Sequence, residues 1–149
     1  LGRLVEEKHA LQSPLALRSV GALDRFLENE WPALRATMSI HEQEAYWVVI
    51  RGQLNQLMTA GSRDREIPVL LYWLAVSDRA VHYRFYDSMS RSFLERCIES
   101  YPRNPVAVRC LKEYEMLVLA SFSGSGGTSI PDEVRDRVET LRQRIYSDQ

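Results

Sequence analysis

The chain has 149 residues, 45% of them apolar and 26% charged, with a formal net charge of −1. That length suits one domain able to bury roughly 68–70% of its unfolded surface, so a core needs neither disulfides nor a structural metal. The balanced charge excludes a bulk electrostatic partner, because nucleic-acid binders draw most of their non-specific affinity from a basic excess, and no apolar run approaches the ~20 residues of a membrane span.

In chain order, the first helix is expected to open at Ser13-Pro14, an N-cap followed by a proline whose missing N–H costs nothing in the first turn. Leu17, Val20, Leu23, Leu27 and Trp31 recur at helical spacing, and Pro32 is expected to bend or end this helix. Ser39 with Glu42 three residues on forms a capping box, after which Trp47, Ile50, Leu54, Leu57 and Met58 share one face. Gly61 is placed as a left-handed cap. A further helix is expected to restart at Ser62 and to carry the run from Val69 to Val76 as a buried central segment, with a possible new start at Ser77-Asp78. Apolar positions Met89, Phe93, Leu94, Cys97 and Ile98 continue at helical spacing up to Tyr101-Pro102-Arg103-Asn104-Pro105. Ala107, Cys110, Leu111, Tyr114, Leu117 and Val118 then mark the helix that follows this tight turn.

Residues 121–129 read as a flexible Gly/Ser insert that fixes no geometry. The last helix, 130–146, has a narrow apolar seam of Val134, Val138, Leu141 and Ile145 with charged flanks, which places it outside the bundle or against a partner. The whole chain, 1–149, is therefore expected to be a single all-α domain, a compact bundle of about six helices containing a helical hairpin.

No constellation of residues spells a reaction. His41-Glu42-Gln43-Glu44-Ala45 begins like a zinc-protease helix, but Ala45 stands where the second histidine ligand belongs. The glycine insert lacks the Lys-Ser/Thr of a phosphate loop and follows a helix instead of a strand. Cys97 and Cys110, on the two helices flanking the proline turn, could be bridged across a helical hairpin, but the favoured reading is two free, buried thiols in a reducing compartment. No catalytic residue, cofactor or metal is assigned.

Nearly all the positive charge is arginine, with Lys8 and Lys112 the only lysines, and a guanidinium offers a planar fork that suits interface ion pairs. Around Arg79, Arg84, Arg91 and Arg96 the arginines interleave with Tyr83 and Tyr86, a mixture enriched in protein-interface hot spots. These six residues form the candidate binding surface. The ordinary alternative is that charges such as Asp78, Asp87 and Glu95 pair with these arginines along one helix, worth a few tenths of a kcal/mol each.

The run Arg91-Ser92-Phe93-Leu94-Glu95-Arg96-Cys97-Ile98, then Pro102-Arg103-Asn104, resembles the second helix and closing turn of a tetratricopeptide repeat, and more closely its half-a-TPR relative. Trp73 stands near the place of the first-helix tryptophan. Val108 and Leu111 depart from the pattern where a next repeat would carry Trp and Tyr, and no second copy appears at a period near 34 in the N-terminal half. The resemblance implies a scaffold for protein interactions and, for the half-a-TPR branch, membership in RNA-processing assemblies. The expectation is a non-enzymatic, intracellular adaptor domain that binds another protein, either through the Arg/Tyr surface or through the outer face of the last helix, which could also support self-association. Alternatives are an RNA-associated helical module, a pathogen effector, or a bundle holding a small ligand between Trp47, Trp73 and Phe93.

Overall fold

The computed structural model describes residues 19–81 and 89–147, which form six helices and one short hairpin. The expected start at Ser13-Pro14 lies outside the described residues. Helix α1 has three consecutive segments: α-helical Val20–Arg25, π-helical Phe26–Glu30 and α-helical Trp31–Arg35. Ser19 caps it, its hydroxyl accepting from Ala22 N at 3.3 Å. Pro32 does not end this helix. Its ring would collide with the carbonyl four residues back and it has no N–H to give. The preceding turn accordingly widens, so that Trp31 N–H reaches Phe26 O.

Helix α2, Ile40–Thr59, starts on the expected capping box: Ser39 N–H donates to Glu42 Oε2 at 2.7 Å and Glu42 N–H to Ser39 Oγ at 3.3 Å. It ends before Gly61, whose φ of 83° is the left-handed conformation that glycine adopts without strain. Residues 62–66 then form a turn rather than the first turn of a helix, and α3 begins later than expected, at Ile67–Val81 with Pro68 in its opening turn. It runs through Ser77 and Asp78 without interruption. Both are buried, and the Ser77 hydroxyl is satisfied by donating to Leu74 O within the helix.

Helix α3 organises the core because it is apolar on two faces. Leu70, Trp73 and Leu74 pack with Val20, Leu23, Leu27 and Trp31 of α1 and with Trp47, Ile50 and Leu54 of α2. Its other face, Leu71 and Ala75, packs with α4 (Ser90–Ser100), α5 (Val106–Phe122) and α6 (Asp132–Tyr146) through Leu94, Ile98, Leu111, Tyr114, Leu141 and Ile145. Met58, Tyr72 and Phe93 touch both groups and join them into one interior.

The proline turn between α4 and α5 forms as expected. Asn104 Oδ1 accepts from Val106 N at 3.0 Å, opening α5, while Asn104 Nδ2 donates to Arg65 O at 3.3 Å and ties this turn to the one before α3. The pairs Cys97 with Cys110 and Glu95 with Tyr114 lie progressively further from the turn, so the two helices run antiparallel. Cys97 and Cys110 correct the expectation of free thiols: they form a disulfide, with Cα atoms 6.5 Å apart and both residues fully buried. Each faces the other from the inner stripe of its helix, within the Cα range that a bridge requires. The argument for a reducing compartment, which rested on free thiols, goes with it.

The Gly/Ser insert contains a short hairpin. Ser123–Gly124 pairs antiparallel with Gly127–Thr128, the φ of 105° at Gly127 serving the turn, and the Ser123 and Thr128 hydroxyls share a hydrogen bond of 2.9 Å. The two strands, β1 and β2, return the chain so that α6 packs beside α5 and α4. As the seam predicts, α6 buries only Leu141 and Ile145 completely, with Val134 and Val138 half-covered.

The bridge closes a short loop in a fully buried place. Denaturant unfolding in the presence of a thiol reductant is expected to lower the unfolding free energy by about 2–3 kcal/mol relative to the oxidised protein. Equal midpoints with and without reductant would show that the two cysteines are unlinked.

Candidate functional site

Of the six arginines and tyrosines expected to bind, Tyr83, Arg84 and Tyr86 lie outside the described residues. Arg79 turns from α3 toward α5, where its guanidinium pairs with Glu113. Arg91 is exposed on α4 and lies 3.8 Å from Glu95, a pairing along a single helix of the kind the sequence predicts. Arg96 is exposed on the same helix and makes no ion pair among the described residues.

Most charges pair between helices instead. Asp24 on α1 accepts Trp73 Nε1–H from α3 at 2.7 Å and the Arg109 guanidinium from α5 at 3.1 Å, while Arg109 also reaches Glu28 at 2.7 Å. The same guanidinium lies over the Tyr72 ring, 4.4 Å from its centroid, and within 5.5 Å of Trp73. Asp78, 1% exposed, pairs with Arg51 of α2 at 2.9 Å. Glu95 is the third junction. It accepts the Tyr114 hydroxyl at 2.9 Å and Arg137 of α6 at 3.2 Å, and Arg137 also holds Glu99 at 2.6 Å. These two carboxylates raise the Arg137 pKa further above its ordinary value. Burial, and then the bond to Glu95, raise the Tyr114 phenol above its ordinary 10.0.

Among the concavities of the described residues, two are walled by several apolar side chains. The better formed lies between α5 and α6, holds about 480 Å³, and is lined by Val118, Leu119, Ile130 and Val138 with Glu115, Arg135, Asp136, Glu139 and Arg142 at its edges. Beside it α5 exposes Met116 at 56% and Leu119 at 52%. The last helix, whose outer face the sequence offers as a candidate surface, supplies one wall; the α5 wall was not singled out, yet a signal was present: Met116 and Leu119 stand off the inward stripe of Ala107, Cys110, Leu111, Tyr114 and Val118, so α5 is apolar on more than its core side.

The second concavity is a shallow groove of about 390 Å³ along α1, lined in part by Trp31, Trp47, Trp73 and Arg35. Trp47 and Trp73 do share a groove, but Trp31 accompanies them instead of Phe93, which packs between the two halves of the core. The Trp31 ring packs tilted against Tyr46 at 5.6 Å and edge-on against Trp47 at 5.3 Å, and its buried Nε1 has no hydrogen-bond partner among the described residues. Among the described residues, no three His, Cys, Asp or Glu side chains gather as a metal site would require, and no helix is long and apolar enough to cross a membrane.

The geometry defines an all-α bundle with an apolar, charge-rimmed groove on its outer face. No family model, no curated protein and no solved structure matches this chain.

Tyr114 gives this region a pH signature. A phenol whose folded pKa is raised favours the fold while protonated, so its contribution is complete below about pH 10 and is lost as the pH rises further and the unfolded chain ionises. Tyr114→Phe is expected to cost about 1 kcal/mol at neutral pH and to flatten the fall in stability above about pH 10, measured by urea unfolding. A variant with the same alkaline slope as the parent would remove Tyr114 from that role.

Proposed function

We propose that this chain is a non-enzymatic protein-interaction domain, an adaptor or scaffold within a larger assembly, and that it docks its partner in the groove between α5 and α6. The observation that carries the reading is the combination of an apolar floor, Val118, Leu119, Ile130 and Val138, with exposed Met116 alongside and a polar rim. Interfaces have this anatomy, an apolar centre within charged edges, and methionine is over-used at such surfaces. The helical-repeat resemblance points the same way, toward helix pairs that bury one face and offer the other.

Pairing of the arginines weighs against the RNA-associated alternative. Arg51, Arg79, Arg109, Arg137 and Arg142 already hold carboxylates, which leaves fewer cations to neutralise phosphates.

Replacing exposed side chains leaves the core intact, and glutamine is a good helix former, so Met116→Gln with Leu119→Gln changes the face without unfolding α5. Affinity capture from cell extract, with nuclease present, is expected to retain a stoichiometric protein on the parent chain and to lose it on this double variant. Arg96→Glu should retain it. Retention by the groove variant together with loss by Arg96→Glu would move the docking surface to the outer face of α4.

A further inference from the structure

We propose that the occupant of the α5–α6 groove is an amphipathic helix of a partner protein whose apolar ridge is flanked by lysine or arginine; this rests on the docking reading above. The first argument is shape. On the α6 side the groove runs from Arg135 to Arg142, seven residues at a rise of about 1.5 Å each, or roughly 10 Å. That is about two turns of an occupant helix, enough for anchors at i, i+3 or i+4 and i+7 to meet Val118, Leu119, Ile130 and Val138 in turn. Met116, exposed on α5 one turn before Leu119, widens the apolar strip on the solvent side.

The second argument is charge. Arg142 is shared between Glu115 at 2.6 Å and Glu139 at 2.8 Å, so one guanidinium serves two carboxylates. Arg135 is held by Ile130 O at 3.1 Å and lies 3.7 Å from Asp132. Asp136 makes no ion pair among the described residues. Three carboxylates, Glu115, Asp136 and Glu139, thus line the groove against two guanidiniums, Arg135 and Arg142, and the rim is left with one carboxylate in excess. A complementary partner carries cations at the edges of its apolar ridge, where they steer association and fix register. The same excess argues against a second copy of this chain, since its own α6 would bring like charges to the rim.

Two synthetic helical peptides with an identical leucine ridge, one flanked by lysines and one by glutamates, test this on the full chain. Binding is followed by fluorescence anisotropy and located by amide chemical shifts. The lysine-flanked peptide is expected to bind at least about tenfold tighter, to weaken as salt is raised, and to shift amides around Leu119, Ile130 and Val138. The Met116→Gln, Leu119→Gln variant should bind neither peptide, and Asp136→Lys should erase most of the lysine preference.

Equal affinities, or preference for the glutamate-flanked peptide at the same amides, would overturn the basic partner while leaving the groove as the docking surface. Shifts confined to other helices, or no binding by either peptide, would overturn this proposal. If cell capture were also indifferent to the groove variant, the docking reading would fall too. A parent chain that is dimeric and becomes monomeric in the groove variant would make a second copy the occupant and overturn the proposal likewise.

Discussion

Everything in this bundle is arranged around the requirement that α3 be covered on both sides. A helix with leucines at 70, 71 and 74 and a tryptophan at 73 cannot leave either face in water without losing roughly 1.5–3 kcal/mol for each large side chain left uncovered. One layer, α1 and α2, closes over Leu70, Trp73 and Leu74. The other, α4, α5 and α6, closes over Leu71 and Ala75. Phe93, Met58 and Tyr72 fill the seam between them. The chain achieves a single interior of this size with helices alone because its central element has no polar face to keep wet.

Arginine makes that arrangement specific. Burial by itself would let neighbouring helices slide or rotate, since apolar surfaces are not directional. The guanidinium forks of Arg109 and Arg137 each hold two carboxylates, and each spans different helices: α5 to α1 in one case, α6 to α4 in the other. Asp24 also receives the Trp73 indole, so a core side chain and a surface ion pair share one acceptor. Such junctions fix rotation about each helix axis more than they add stability, because partly exposed pairs are screened by solvent.

The outer layer has a different character. Helix α6 commits only two side chains fully to the core, and α5 carries apolar residues beyond its inward stripe. Where a narrow seam meets an over-wide one, a strip of apolar surface is left between them. The hairpin of residues 123–128, by returning the chain sharply, sets α6 beside the far end of α5 and so determines where that strip becomes a groove. The groove is thus a consequence of mismatched helix faces.

Local pattern alone was enough for the helical class, for the capping box at Ser39 and Glu42, for the glycine stop at 61, and for the hairpin turn at 101–105. Each of these depends on residues within one turn of one another, where backbone geometry and side-chain reach leave few choices. Pairing across the fold was not legible. Asp78 binds Arg51 of α2 and Arg79 binds Glu113 of α5, because the packing of α3 against those helices brings the groups together. The cysteines could be read as a buried pair from their flanking positions, but whether two inward stripes face each other depends on helix rotation, which only packing sets. The same holds for the groove: periodicity within α5 and α6 shows which residues are apolar, while the relative placement of two helices decides which of those residues remain uncovered.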